Sequence, residues 1–509
     1  MYSEAVNWKF CDANPEEEKS CIDFEAASNM SHVSNITKCA IEKLCELGIL
    51  AANDGGRLVT ILNVSWKGVV TLLQLGKGTL AVKVNVADII LNLLSLVNES
   101  LRCATKAWSS SLKETISVTE ARRTFIPIKF YLVNAVKISS LYPSQAYLVY
   151  REITHCILII STLKISMSNE ELMKTASEVM TELLEQISMD FLKSLLNSVQ
   201  VKLELKLRIL DWLFTDESYS NSDNGGLSNN CVITPICQIV LVGCEDMPGA
   251  RILLLGRVAL FLNLLKYSLD IDEDVKLGMT GKLGWFLDIL VDGDVYSSIL
   301  VMQIPELYGS GKTVEIDWQP MFSSVLHALK TFMIVLSSSL AWRELESFLL
   351  ENFFHPHFLC WEIVTELWCF MVRYAEISMA NGIIDQLCSL LKLVAFSESV
   401  FIPGSAMRKM ARAISRILAY GTQSMVDHVY RSIVDDNRSQ LSSLMCVALL
   451  MEGFPLNLLS ERMRSIAIQR ICTEYFGFLE SFDDKLMRVC NSGLYGVPVF
   501  TLSASLQSV

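Results

Sequence analysis

Proline and glycine are scarce, 11 and 24 in a chain of 509 residues. Proline removes a backbone donor and glycine loosens the chain, so their scarcity excludes a fold of many short strands and tight turns and favours long helices. Charge is thin as well, 19% of residues against 51% hydrophobic. That excludes an extended solvated polymer and leaves apolar material for a continuous core. Basic residues are outnumbered 43 to 55, for a net charge of −12, so the chain as a whole has no attraction for nucleic acid phosphates, and any direct contact must come from a local basic patch. The 15 cysteines, among them Cys39, Cys45, Cys156, Cys369 and Cys446, include no C-x-x-C pair. An odd number on apolar helical faces is expected as buried, reduced thiols of the cytosol or nucleus and not as a disulfide framework. The opening "MYSEAVNWKFCDANPEEEKS" lacks a positive segment followed by an apolar core, so no secretory leader is expected. Mean hydropathy is +0.37, yet the most lipid-like run, 252–265, is too short to span a bilayer and carries Arg257 and Asn263. A helix buried on nearly all sides is expected there, and no membrane association.

What is present is helical spacing, segment after segment. Between 168 and 196, Leu172, Ala176, Val179, Leu183, Ile187, Phe191 and Leu195 recur at intervals of three and four, with Met180, Leu184, Leu192 and Leu196 widening the stripe. Ser168 and Glu171 read as a capping box at its start. Comparable runs follow one another from about 34 to 476, separated by short turns such as 141–145, 379–382 and 452–455. Short connections make consecutive helices antiparallel neighbours. The fold expected is all-α, an α-solenoid of HEAT/armadillo-like antiparallel helix hairpins. Its organisation reads as a polar N-terminus (1–30), a helical repeat region (31–214), a Ser/Asn/Gly linker (215–230), central helices (231–291), an inter-helix insertion (292–320), a second helical repeat region (321–495) and a tail (496–509).

Four stretches imitate functional motifs. "LYGSGKT" at 307–313 ends like a phosphate-binding P-loop, but Glu306 stands where the first glycine of G-x-x-x-x-G-K-[ST] belongs and would turn a carboxylate toward the phosphates. Pro305 interrupts the apolar run before it, and helical periodicity resumes only beyond Pro320, so Lys312 is expected in an inter-helix loop. Asp270, Asp272 and Asp274 resemble the opening of a calcium loop, but Val275 and Gly281 occupy the places of its glycine and bidentate glutamate, leaving an acidic helix start as the better account. His355, His357, Cys360 and Cys369 are metal-ligand types without finger-like spacing. A helix opened by Pro356, with Phe358, Trp361, Leu367, Trp368 and Met371 buried, is expected instead. Arg408, Arg412 and Arg416 repeat every fourth residue, with Lys409 adjacent. They read either as a solvated helix face or as a contact for phosphates or an acidic partner segment. No H-E-x-x-H or G-x-S-x-G arrangement is present, so no catalytic residue, cofactor or metal is assigned and no enzyme is expected.

Two further stretches, "ILNVSWKGVVTLLQLGKG" at 61–78 and "HPHFLCWEIVTELWCFMVRYAE" at 355–376, resemble the fidgetin-like-1 interacting protein family, called FLIP in plants and FIRRM in animals. Members of that family tend to be longer than this chain. The resemblance implies a helical, non-enzymatic nuclear scaffold, with a cytoplasmic pool allowed, that binds a fidgetin-like AAA ATPase. Through that partner it would regulate a strand-exchange recombinase in homologous recombination, limiting meiotic crossovers and aiding DNA repair. It carries no individual functional residue over to this sequence. The alternative is a generic HEAT-like adaptor in nuclear transport or complex assembly.

Overall fold

The structure, a computed structural model, describes residues 22–53, 58–76, 80, 82–110, 115–214, 249–308, 315–395, 400, 402, 404–434, 440–480 and 497–507. The 215–230 linker, Lys312 and the first 21 residues lie outside them. Among the described residues the chain is all-α apart from one hairpin, and it divides into two compact units, Met1–Leu345 and Glu346–Val509.

The first unit opens with α1 (Ile22–Asn53), α2 (Val59–Leu75), α3 (Val86–Ser110), α4 (Val118–Leu141) and α5 (Tyr147–Asn169). In α2 the buried residues Leu62, Ser65, Trp66, Val69, Val70 and Leu73 form one face, the spacing that makes this segment a helix against a core. Ser117 caps α4 by accepting the Glu120 N–H, and Pro127 inside α4 deprives it of one backbone hydrogen bond. Helices pack on their sequence neighbours, α1 on α2 and α3 on α4, and on the next but one, α2 on α4 and α3 on α5. This two-layer pattern is that of a helical repeat array.

The region 168–196 departs from the expected helix at its start and its middle. Ser168 is no cap: it lies buried in the last turn of α5, donating to the Lys164 carbonyl at 2.7 Å and sharing a 2.8 Å hydrogen bond with Ser177. The chain then runs through a 3-10 turn at Glu171–Met173, α6 (Lys174–Met180), a π-turn (Thr181–Glu185) and α7 (Gln186–Leu196). The wider turn holds one residue more than an α turn, and beyond it Phe191, Leu192, Leu195 and Leu196 are buried as the spacing expects. Leu183 and Ile187, placed on the buried stripe by spacing, end half-exposed, while Leu184 and Ser188 are buried.

After α8 (Leu203–Phe214), the described chain resumes at α9 (Gly249–Lys266), which has buried residues all round, from Ile252 to Leu265, as its composition led one to expect. It lies against α5 so closely that a Cβ on Gly256 would stand 2.7 Å from the Thr162 Cα, and Ser161 Oγ donates to the Gly256 carbonyl at 2.9 Å. Gly256→Ala must therefore push the two helices apart. We expect it to cost at least the roughly 1–3 kcal/mol typical of overpacking, read as a lower denaturant midpoint of the full chain.

Of the segment expected as an inter-helix insertion, the described residues 292–308 and 315–320 form a helix and a hairpin. Past α10 (Glu273–Thr280) and α11 (Leu283–Val291), Asp292 caps α12 (Gly293–Val301), and β1 (Gln303–Tyr308) pairs antiparallel with β2 (Glu315–Pro320), Glu306 opposite Asp317. Pro305 is tolerated because both strands of a two-stranded sheet are edges. The chain then enters α13 (Met321–Leu336) and α14 (Trp342–Glu351), within which the unit boundary falls.

The second unit continues with α15 (Phe358–Tyr374), α16 (Ile377–Val394), α17 (Ala406–Ala419), α18 (Gln423–Val434), α19 (Gln440–Met451), α20 (Glu461–Glu480) and α21 (Val497–Gln507). Here too helices pack at first and second neighbours: α17 on α16, α15 and α19. By length and composition α16 could cross a membrane, but Ala380, Ile384, Leu387, Cys388 and Leu391 make one buried stripe along it, and it packs on α17. Within the stretch expected as a tail, Val497–Gln507 forms α21, seated on α19 and α20. Its small and hydroxylated residues gave no periodic signal in the sequence.

Candidate functional site

Two clusters of buried charge stand out, one in each unit. In the second, Ser405 caps α17 by accepting the Arg408 N–H, and the arginines that repeat along that helix point into the protein. Arg408 donates to Glu452 at 2.5 Å and to the Val400 carbonyl at 3.2 Å, while Arg412 donates to the other oxygen of the same carboxylate. Arg416 grips Glu362 with both terminal guanidinium nitrogens. Burial works to lower the Arg416 pKa, but the hydrogen bonds and charge of Glu362 outweigh it and hold the guanidinium above its ordinary value. Between these pairs lies Trp361, fully buried, with the guanidinium carbons of Arg412 and Arg416 at 5.4 and 5.9 Å from the ring centroid. Lys409 donates to the His355 carbonyl at 2.9 Å.

Arg408, Lys409, Arg412 and Arg416 thus each have an acceptor within their own unit, with the Arg408 side chain 10% exposed and those of Arg412 and Arg416 30% and 38%. Spacing alone could not reveal this, since Glu452 lies 44 residues from Arg408 and Glu362 lies 54 residues from Arg416.

The metal-ligand types near α15 serve packing. His357 donates its N–H to His355 Nδ1 at 3.1 Å, Cys360 Sγ is 3.7 Å from His357 Nδ1, and Cys369 is buried further along α15. Among the described residues, no three His, Cys, Asp or Glu side chains gather as a metal site would require. Trp361, Leu367 and Trp368 are buried as expected, whereas Phe358, the first residue of α15, is 54% exposed and Met371 is half-buried. Other buried thiols are likewise quiet: burial pushes Cys45, Cys156 and Cys388 each up to about 12.

In the first unit, Glu306 turns inward from β1. Lys266 at the end of α9 donates to its carboxylate, Ser324 from α13 does the same, and Lys266 also reaches Ser324 Oγ at 2.9 Å. Tyr308 OH stands 3.4 Å from the second oxygen. Close by, Lys164 of α5 pairs with Glu185 of the π-turn, and burial beside these carboxylates pushes the Tyr267 phenol up to about 12. Burial works to raise the Glu306 pKa, but Lys266 and the Ser324 hydroxyl outweigh it and hold it below the ordinary 4.5. A carboxyl depressed in the folded state stabilises the fold above its unfolded value, and that stability is lost as pH falls through the folded value. Thermal unfolding of the full chain followed downward through pH 4.5 is expected to show a falling midpoint, with a shallower decline in Glu306→Gln.

The P-loop imitation is thereby accounted for. The segment that follows it is β2, antiparallel to β1, where a phosphate-binding loop would open a helix. Its missing glycine is a carboxylate that neutralises a buried lysine. The calcium imitation resolves similarly: Asp270 pairs with Lys193 at 3.7 Å and Asp272, at the start of α10, with Lys206 at 2.9 Å.

At the ends of α15 and α17 the surface differs. Tyr374, Ile377 and Tyr420 are exposed, and the Arg373 guanidinium stacks 4.0 Å from the Tyr420 ring centroid.

Fold and buried clusters together define an all-α protein of helical-repeat type, with charge used inside the array. The chain belongs to the family described as Domain of unknown function (DUF4487), which it matches over residues 59–507. No curated protein and no solved structure matches it.

Proposed function

We propose that the chain is a non-enzymatic helical scaffold that binds a fidgetin-like AAA ATPase and, through it, regulates a strand-exchange recombinase in homologous recombination, limiting meiotic crossovers and aiding DNA repair in the nucleus. The observation that carries this reading is the family match over 59–507, a domain that the FIRRM and FLIP proteins also contain. The two stretches that resemble those proteins form α2 and α15, whose Trp66 and Trp361 are both fully buried. The likeness therefore lies in residues that build the array. A stack of helix hairpins offers long grooves to peptide segments of other proteins, and an exposed group of tyrosine and arginine such as Tyr374, Tyr420 and Arg373 has the composition of protein-binding hot spots. In this reading ATP hydrolysis belongs to the partner.

The test is affinity purification of the full chain from nuclear extract of meiotic or DNA-damaged cells. Recovery of a AAA ATPase together with recombinase is expected. Recovery of transport or chaperone components without either would replace this reading by that of a general adaptor.

A further inference from the structure

In the hairpin of the first unit, β1 packs on α5 and the π-turn, and β2 is the outer strand. Among the described residues the sheet ends at β2, and no residue of that strand, from Glu315 to Pro320, is buried. The register says which main-chain groups face its free side. Met321 donates its N–H to the Met302 carbonyl at 2.9 Å, which extends the ladder by one pair. The hydrogen-bonded pairs are then the alternate ones above it, Ile304 with Gln319, Glu306 with Asp317 and Tyr308 with Glu315. Both prolines of the hairpin, Pro305 and Pro320, fall in the intervening pairs, which need no N–H from them. The N–H and C=O groups of Ile316 and Trp318 therefore point away from β1, toward the open edge.

A strand laid along this edge would meet two kinds of side chain. On one face Glu315 and Asp317 are exposed. Among the described residues neither pairs with a lysine or arginine, and Asp317 accepts the Gln319 side-chain amide at 2.7 Å. On the other face Ile316 and Trp318 are half-buried, the indole N–H donating to Glu178 at 2.7 Å. A second copy of the chain is a poor occupant, because two such edges would set like charges against each other. The geometry points to the edge of β2 as a docking site for an extended segment of a partner protein, added as a third strand, in which lysine or arginine alternates with β-branched or aromatic residues. Main-chain hydrogen bonds to Ile316 and Trp318 hold the segment, and the two carboxylates select its basic residues. This goes beyond the scaffold reading above and stands whichever protein that purification recovers.

The probe is the fluorescently labelled peptide acetyl-Lys-Val-Lys-Val-Lys-Val-amide, titrated with the full chain at low salt and followed by anisotropy. Two further peptides carry N-methyl groups on every valine or on every lysine. In either strand direction only one of these sets of N–H groups can face β2. Strand addition therefore predicts that one methylated peptide loses binding while the other keeps it. Charge attraction alone predicts that both behave alike, and that outcome, or no binding of the unmodified peptide, overturns the proposal. Ile316→Pro puts a ring where an outward N–H stood and removes no ladder bond. It is expected to weaken binding about tenfold or more, and unchanged affinity in the folded variant also overturns the proposal. Should Ile316→Pro fail to fold, the two methylated peptides decide with the parent chain.

Discussion

Replacing Glu452 with alanine is expected to destabilise the second unit by roughly 3–5 kcal/mol, the range for removing one partner of a buried ion pair. The Glu452 side chain is only 4% exposed and neutralises two guanidiniums, with Arg408 at 10% exposure and Arg412 at 30%. Most of the cost therefore rests on Arg408, which would keep the Val400 carbonyl as acceptor but lose its counter-charge. The position is otherwise a poor one for a carboxylate, because Glu452 follows directly on the C-terminus of α19, the negative end of the helix dipole. Only the arginines make it favourable. With two units, a single unfolding transition is not assured, so hydrogen exchange is the better measurement. Amides of α17 and α19 should lose protection in Glu452→Ala while those of α2 and α4 keep it. Glu461→Ala provides the comparison: that carboxylate is 90% exposed and pairs only with Arg464, so about 0–1 kcal/mol is expected. Equal effects of the two substitutions would refute the view that the basic stripe is an internal brace.

Glu306→Gly completes G-x-x-x-x-G-K-T on paper and is expected to gain no nucleotide binding and lose stability. The substitution leaves Lys266, 15% exposed, beside Ser324 without its carboxylate. Stranding a buried charge costs roughly 3–5 kcal/mol, and a glycine inside a strand adds about 0.5–1 kcal/mol relative to alanine. Phosphate binding is not expected in return, because β2 follows where a helix should begin and every second N–H of it points into a ladder with β1. Calorimetric titration with ATP and a denaturant melt of the same preparation measure both halves. Binding of ATP by Glu306→Gly, at a stability near that of the parent, would show that the loop and not the hairpin governs this segment. Glu306→Gln should lie between, since an amide oxygen still accepts from Lys266 but carries no charge.

The same two residues mark the limit of reading this chain from its letters. Helix content was legible because apolar positions repeat every three or four residues over most of the chain, as in Leu62, Val69 and Leu73 of α2, and a helix face needs nothing else to be recognised. The misfit of Glu306 to a phosphate loop was legible too, from charge alone. Its partner was not, since Lys266 lies 40 residues away and the pairing depends on α9 and β1 being brought together. In the same way Arg408, Arg412 and Arg416 announced one face of α17, but the amphipathic pattern could not say that this face looks toward Glu452 and Trp361.

Local backbone choices were the other blind spot. Ser168 and Glu171 carry the letters of a capping box, yet the Ser168 hydroxyl found a carbonyl one turn back, and the helix began elsewhere. The π-turn at Thr181–Glu185 leaves no trace in periodicity, and around it Leu184 and Ser188 are buried while Leu183 and Ile187 are half-exposed. The tyrosine and arginine surface around Tyr420 is likewise set by packing, because an exposed aromatic has the same letter as a buried one.

By itself, then, the sequence determined the class: few helix breakers, abundant apolar residues at helical spacing and short connections leave stacked helical hairpins as the way to bury the core. Tertiary structure alone decided where the charges went. Hydrophobic periodicity is a property of one helix, whereas burial of an ion requires a counter-ion from another, and the distance between such partners along the chain is unconstrained until the helices pack.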